Sequence, residues 1–325
     1  MRRRQLITVL GGAAASLLSR PLRAQRPAKP FRLGIILFST PQGDPNNEAF
    51  FRGMSDLGYV DGQNIVFEYR FAEGKPERLP ELAADLVRLN PDMIFALGGD
   101  VAPVVRKATR TIPIAFAVST DPVQNGLVTS LARPGGNATG VTFLSDELAA
   151  KRLVLLKEAA PHISRLAVLF NPDHVDNELR EVERAAALLN VKLHLAEIRR
   201  SSDLDDALAA ISQAGVEGLY AVSSRQTVAN IARITEFATR NRMPLAGGWG
   251  AWAQAGALIS YGPNVGEMVR QSAAYVDKIL KGANPAELPV QQPTRFELLV
   301  NLKTAKALGL AIPESFLVRA DKVIE

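Results

Sequence analysis

The sequence predicts an α/β protein with two successive parallel sheets, and three observations carry that expectation. Short apolar runs rich in Val, Ile and Leu alternate with stretches of helical period. The series halts at a glycine-rich segment, RPGGNATG (133–140), and then restarts. The segment after residue 257 is too small for a third domain. Strand–helix alternation is the pattern of a parallel doubly wound sheet, and 325 residues is comfortable for two lobes.

The first series reads in order. RLGIILF (32–38) is a buried strand, and residues 46–57 form a helix closed by Gly58. NIVFEYR (64–70) alternates as a strand, and residues 77–89 carry Leu79, Leu82, Ala83, Leu86 and Leu89 on one helical face. DMIFAL (92–97) is a strand, residues 101–109 a helix and IPIAFAV (112–118) a strand. Asp121-Pro122 is a turn signal, with a helix expected near 123–131 and a loop at 133–140.

After a helix near 147–160 the pattern repeats. RLAVLF (165–170) is a strand, 175–189 a helix, VKLHLAEI (191–198) a strand and 204–213 a helix. GLYAV (218–222) is a strand, 227–240 a helix, and a short strand ends near Ala246. The tail departs from this rhythm. ALISYG (257–262) leads into a long helix at 265–280, broken at Lys281-Gly282. A β-rich run with two prolines (287–302) and a short helix near 304–308 complete it. The economical course for this tail is a return to the first lobe and a crossing back to the second.

The chain opens MRRRQLITVLGGAAASLLSRPLRAQ. A basic start precedes an apolar stretch, Leu6 to Leu18, too short for the roughly 20 residues that span a bilayer. Pro21 and the small Ala24 follow, as near a cleavage site, so residues 1–24 are expected to be a signal peptide. Arg3-Arg4 with Leu6-Ile7 resembles the twin-arginine export signal. An exported chain without cysteine cannot be lipid-modified at its N-terminus, so a soluble periplasmic protein is expected.

Charge excludes one class of partner. The formal charge is +5, and residues 1–24 hold five arginines and no acid, so the remainder is neutral. A neutral chain lacks the basic footprint of a nucleic-acid binder. Zero cysteine removes disulfides, thiolate metal sites and cysteine nucleophiles. His162, His174 and His194 are scattered without metal-ligand spacing and read as surface or packing residues. No GxGxxG, GxxxxGK[ST] or GxSxG is present, so neither a cofactor nor a metal is expected, and an enzyme has no nucleophile–base pair to name.

Taken in order, RLGIILF, ALGGD, TIPIAFAVSTDPVQNGLV, ARPGGNATGVT, VLFNP, LISYGPN, YVDKILKGANPAELPV and FELLVNLKTAKALGL resemble the ABC transporter substrate-binding protein family. That family shares the type I periplasmic-binding fold and includes tryptophan-binding relatives. The resemblance implies two Rossmann-like lobes joined by a three-crossover hinge, with a small-molecule ligand between them. The lobes would be 31–139 with 262–293, and 140–261 with 294–325. It also implies a membrane permease as partner, a monomeric receptor and no catalysis; a ligand-sensing partner of a signalling receptor would use the same fold.

Open α/β sheets bind ligands outside the carboxyl ends of their strands, which singles out specific residues. In the first lobe these are Ser39, Thr40, Gly99, Asp100, Thr120 and Asp121; in the second they are Asn171, Ser224, Arg225 and Trp249. Ser39, Thr40 and Thr120 suit helix caps as well as ligand contacts, and the two roles are compatible. Gly99 suits a tight turn equally well, and Asp121 and Asn171, each before proline, suit turns. Arg225 stands where the amino-acid-binding relatives tend to carry an acid or amide; it fits a ligand carboxylate or a solvated surface. Trp249, among glycines just beyond a strand, is expected to face ligand, and Trp252 to pack. Trp249 and Asp121 are the pair expected to grip a solute from opposite lobes.

Overall fold

The computed structural model describes residues 29–39, 45–174 and 177–325. The proposed leader and Thr40 lie outside the described residues.

The first lobe is built on β1 (Phe31–Leu37), α1 (Pro45–Asp56), β2 (Ile65–Phe71), α2 (Leu79–Arg88), β3 (Met93–Leu97), α3 (Ala102–Ala108), β4 (Ile114–Val118) and β5 (Ala138–Thr142). Its five strands lie in the order β2-β1-β3-β4-β5, and every pairing is parallel. β3 and β4 are buried on both faces, which is why they read as unbroken apolar runs.

The second lobe follows with α4 (Ala149–Ala159), β6 (Arg165–Phe170), α5 (Glu178–Leu188), β7 (Lys192–Glu197), α6 (Leu204–Gln213) and β8 (Gly218–Ala221). α7 (Arg225–Ala229), α8 (Ile231–Arg240), β9 (Leu245–Gly247), α9 (Gly250–Ala255) and β10 (Ile259–Gly262) continue it. α10 (Val265–Leu280), β11 (Glu297–Asn301), α11 (Leu302–Leu308), α12 (Glu314–Leu317) and β12 (Lys322–Ile324) form the tail. The second sheet runs β12-β11-β10-β9-β8-β6-β7, parallel except where β10 meets β11.

The tail joins both lobes. α10 leaves the second sheet and packs on α1, where Gly53 permits the contact: a Cβ there would stand 2.4 Å from the Arg270 carbonyl oxygen. The Tyr59 hydroxyl donates to Asp277 at 3.0 Å, and Arg270 pairs with Asp56 at 2.7 Å. Residues 288–291 then run beside β5, with Thr139 Oγ1 donating to the Leu288 carbonyl and the Gln291 amide to the Gly140 carbonyl. The chain finally re-enters the second sheet as β11. It therefore passes between the lobes after β5, after β10 and before β11.

Three local expectations need correction. Residues 123–131 form turns rather than a helix. Gly126 takes a left-handed φ of 66° and the Leu127 amide bonds back to the Pro122 carbonyl, which bends the segment too tightly for a helical ladder. The loop at 133–140 ends early, because Ala138–Thr142 is the edge strand β5. β5 lies so close to β4 that a Cβ on Gly140 would meet the Phe116 carbonyl oxygen at 1.9 Å; that glycine hides the strand in the sequence. The helix expected over 227–240 is two, α7 and α8, broken at Asn230. The Asn230 amide group donates to the Gln226 carbonyl at 2.9 Å and to Ser201 Oγ at 3.2 Å, so its side chain competes with the helical ladder.

Candidate interlobe site

The carboxyl ends of β3 and β4 in one lobe face those of β6, β8 and β9 in the other, and the side chains between them touch. Asp100, after β3, meets His174, after β6: Oδ1 lies 2.5 Å from Nδ1. The His174 side chain is 1% exposed and that of Asp100 12%. Asp100 Oδ2 also accepts weakly from the Arg225 amide at 3.4 Å. Burial alone would raise the Asp100 pKa, but the charges and hydrogen bonds of His174 and Arg225 outweigh it and hold the carboxyl below its ordinary value. An ionised carboxylate can only accept, so the proton in this contact sits on His174 Nδ1. The other ring nitrogen lies 3.4 Å from Ser119 Oγ.

Glycines let the lobes close to this distance. A Cβ on Gly99 would stand 2.8 Å from the His174 ring and 2.6 Å from Thr120 Cγ2. One on Gly98 would stand 2.8 Å from Arg225 Cδ, so the arginine stem lies across first-lobe backbone. Asn177 donates to Gln124 at 2.6 Å, a further bond between lobes.

Trp249 presents its indole edge-on to Phe143, with ring centroids 6.4 Å apart. Phe143 belongs to the first crossover, so this aromatic contact also closes the cleft. Trp252 is wholly buried against Gly247, where a Cβ would collide with its ring at 2.1 Å.

Not every strand-end residue is turned to the cleft. Thr120 Oγ1 accepts from Asn125 at 2.7 Å inside its own lobe. Asp121 Oδ1 accepts from the Val123 amide at 2.8 Å and caps its own turn. Asn171 Oδ1 does the same for Asp173 at 2.9 Å; Ser224 caps α7 by accepting from the Thr227 amide at 3.2 Å and still lines the space between the lobes. Ser39 Oγ is buried with no hydrogen-bond partner among the described residues. Trp249 thus meets Phe143 rather than Asp121, and the acid that reaches the opposite lobe is Asp100. His174 was missed in the sequence as a packing residue; its signal was its position in the loop after β6, three residues beyond Asn171.

A cavity of about 20 Å³ remains between the lobes, lined by Ser119, Phe143, Arg225, Trp249 and neighbours. That is room for about one water molecule, so an organic solute requires the lobes to part. Outside it a groove of about 720 Å³ runs between α1 and α9, and Asn46, Trp249 and Val265 line both spaces. Among the described residues no cluster of three or more His, Asp or Glu could hold a metal ion. No described helix is long and apolar enough to cross a membrane.

Comparison with known proteins agrees with this architecture. The chain is 27% identical over 277 residues to a tyrosine-binding protein of Clostridioides difficile, covering 84% of this chain and 79% of that one. A conserved domain protein from Vibrio cholerae superposes with a TM-score of 0.83 at 30% identity, over 91% of this chain and all of the other. A Streptococcus pneumoniae ABC domain solved with L-Trp superposes at 0.81 with 22% identity, again over 91% of this chain and all of the other. The model of the ABC transporter substrate binding protein family matches residues 35–324. Two α/β lobes with strand ends facing across a closed cleft, and a family match over nearly the whole described chain, place this protein in the ABC transporter substrate-binding family, whose members bind solutes and do not catalyse reactions.

Proposed function

We propose that this chain is the exported solute receptor of an ABC importer and that it captures an aromatic amino acid, tyrosine or tryptophan, between its lobes. The observation that carries the reading is the composition of the closed cleft. Phe143, Trp249 and the Arg225 side chain line the space between the lobes, and one carboxylate, Asp100, borders it through its contacts with His174 and the Arg225 amide. A zwitterion with a flat side chain needs those three features: an acceptor for ammonium, a bidentate donor for carboxylate and a surface for stacking. The tyrosine-binding relative and the L-Trp complex support the ligand class.

On this reading the bodies that move are close to the expected lobes, with β5 (Ala138–Thr142) kept whole in the first and β10 (Ile259–Gly262) whole in the second, opening to admit solute and closing over it. The leader directs a monomeric protein to the periplasm by the twin-arginine route, and the closed form docks on the membrane permease. Calorimetry against L-tyrosine, L-tryptophan, L-phenylalanine and their deaminated analogues tests the ligand class. Saturable binding of an aromatic amino acid, lost in the analogue without the ammonium, is the expected result. Failure of every aromatic amino acid to bind overturns the assignment.

A further inference from the structure

Behind the second-lobe strand ends lies a charged group that faces no cleft. Arg152, on the first turn of α4, and Glu178, the first residue of α5, are both wholly buried and hydrogen-bonded to each other. The guanidinium also donates from Nε to the Tyr261 carbonyl at 2.9 Å and from Nη2 to the Ser145 carbonyl at 3.0 Å. Nη1 reaches the Tyr220 hydroxyl at 2.6 Å, and that hydroxyl donates to Glu178 at 3.1 Å. The second Glu178 oxygen accepts from the Ser223 amide at 3.0 Å.

The partners matter more than the pair. Ser145 lies in the first crossover and Tyr261 near the end of β10, two residues before the second begins at Pro263. Ser223 opens the loop that carries Ser224 and Arg225 into the cleft. The Ser145 amide in turn donates to the carbonyl of Ser119, at the end of first-lobe β4, at 3.2 Å. Leu144, next to Ser145, has a φ of 51°, the left-handed region that costs a residue with a side chain energy. A hydrogen-bonded path therefore joins the binding loop of one lobe to that of the other through one guanidinium.

A buried ion pair is seldom retained for stability, since apolar residues of similar volume often do as well or better. We infer that Arg152 is a positioning residue for solute capture: it locks the first two crossovers and the Ser223–Arg225 loop into one rigid body. Lobe rotation is then confined to the chain around Leu144 and around Pro263-Asn264. Arg225 and His174 accordingly arrive in register over Gly98 and against Asp100. This inference rests on the reading of the chain as a cleft-closing receptor, and Arg152 itself touches no solute.

The test uses the whole mature protein, and its first measurement is made without ligand. The chain has no cysteine, so Leu57→Cys and Leu188→Cys, both exposed and in different lobes, accept a pair of spin labels. Inter-lobe distance distributions are recorded without solute for the otherwise unaltered protein, for Arg152→Lys and for Arg152→Met with Glu178→Gln. The double variant is neutral and keeps an acceptor for the Ser223 amide. Both variants should melt cooperatively yet show a distribution at least twice as wide. With L-tyrosine and L-tryptophan as probes, both should dissociate at least tenfold faster. A lowered melting temperature with unchanged width would mean that Arg152 merely stabilises the second lobe, and overturns the inference. Should the double variant fail to fold, Arg152→Lys decides alone: it keeps charge opposite Glu178 but cannot reach both the Ser145 and the Tyr261 carbonyls. If the unaltered protein binds neither probe, the ligand assignment falls, while the ligand-free widths still judge the hinge.

Discussion

His174 Nδ1 lies 2.5 Å from Asp100 Oδ1, a buried contact between residues 74 positions apart that belong to different lobes. It makes the closed cleft sensitive to the ionisation of one carboxyl. The Asp100 pKa is lowered in the folded protein, so its contribution to stability is fully present above the ordinary aspartate value of about 4 and is lost as pH falls through the folded value. Asp100→Asn should therefore melt lower than the unaltered protein at pH 7. The gap should shrink steadily as the pH falls below about 4. Melting curves across that range check it, and a gap independent of pH would remove the ion pair from the account.

The two tryptophans should separate affinity from stability. Trp252 is wholly buried and fills the space over Gly247, so Trp252→Ala should cost about 3–5 kcal/mol of stability. Trp249 faces Phe143 across the cleft, and Trp249→Ala should lower solute affinity at least tenfold, about 1.4 kcal/mol, with a smaller loss of stability. Calorimetry and thermal melts on the same preparations compare them. A larger affinity loss for Trp252→Ala would assign the wrong ring to the solute.

Gly99→Ala should hold the lobes apart. The new methyl group would meet Thr120 Cγ2 at 2.6 Å and the His174 ring at 2.8 Å. Thr120 can turn away by giving up its bond from Asn125, whereas His174 belongs to the other lobe and is relieved only by separation. Small-angle scattering should report a larger radius of gyration than in the unaltered protein, with solute affinity reduced more than tenfold. An unchanged radius with unchanged affinity would show that the closed contact tolerates a side chain.

Arg3→Lys with Arg4→Lys should leave the precursor in the cytoplasm, because twin-arginine sorting depends on the guanidinium pair and not on charge alone. Cell fractionation reads the outcome. Normal export of the double variant would assign the leader to general secretion.

Periodicity alone made most of the scaffold legible. RLGIILF, IAFAV and RLAVLF are strands because residues buried on both faces of a parallel sheet must all be apolar. The long helix at 265–280 is legible because apolar positions recur at helical spacing until Lys281-Gly282 ends it. Tertiary structure decided every feature that depends on another part of the chain. ATGVT became β5 only because β4 lies close enough to require Gly140, and Asp121 stayed with its own turn while Asp100 crossed the cleft. Arg152 carries no local signature and His174 only its place after a strand, since the partners that define them come from other elements: Asp100 for His174, and Ser145, Glu178 and Tyr261 for Arg152. A strand or helix is determined by its own periodicity, but a buried charge takes its role from the groups that desolvate and pair it, and only the folded chain brings those together.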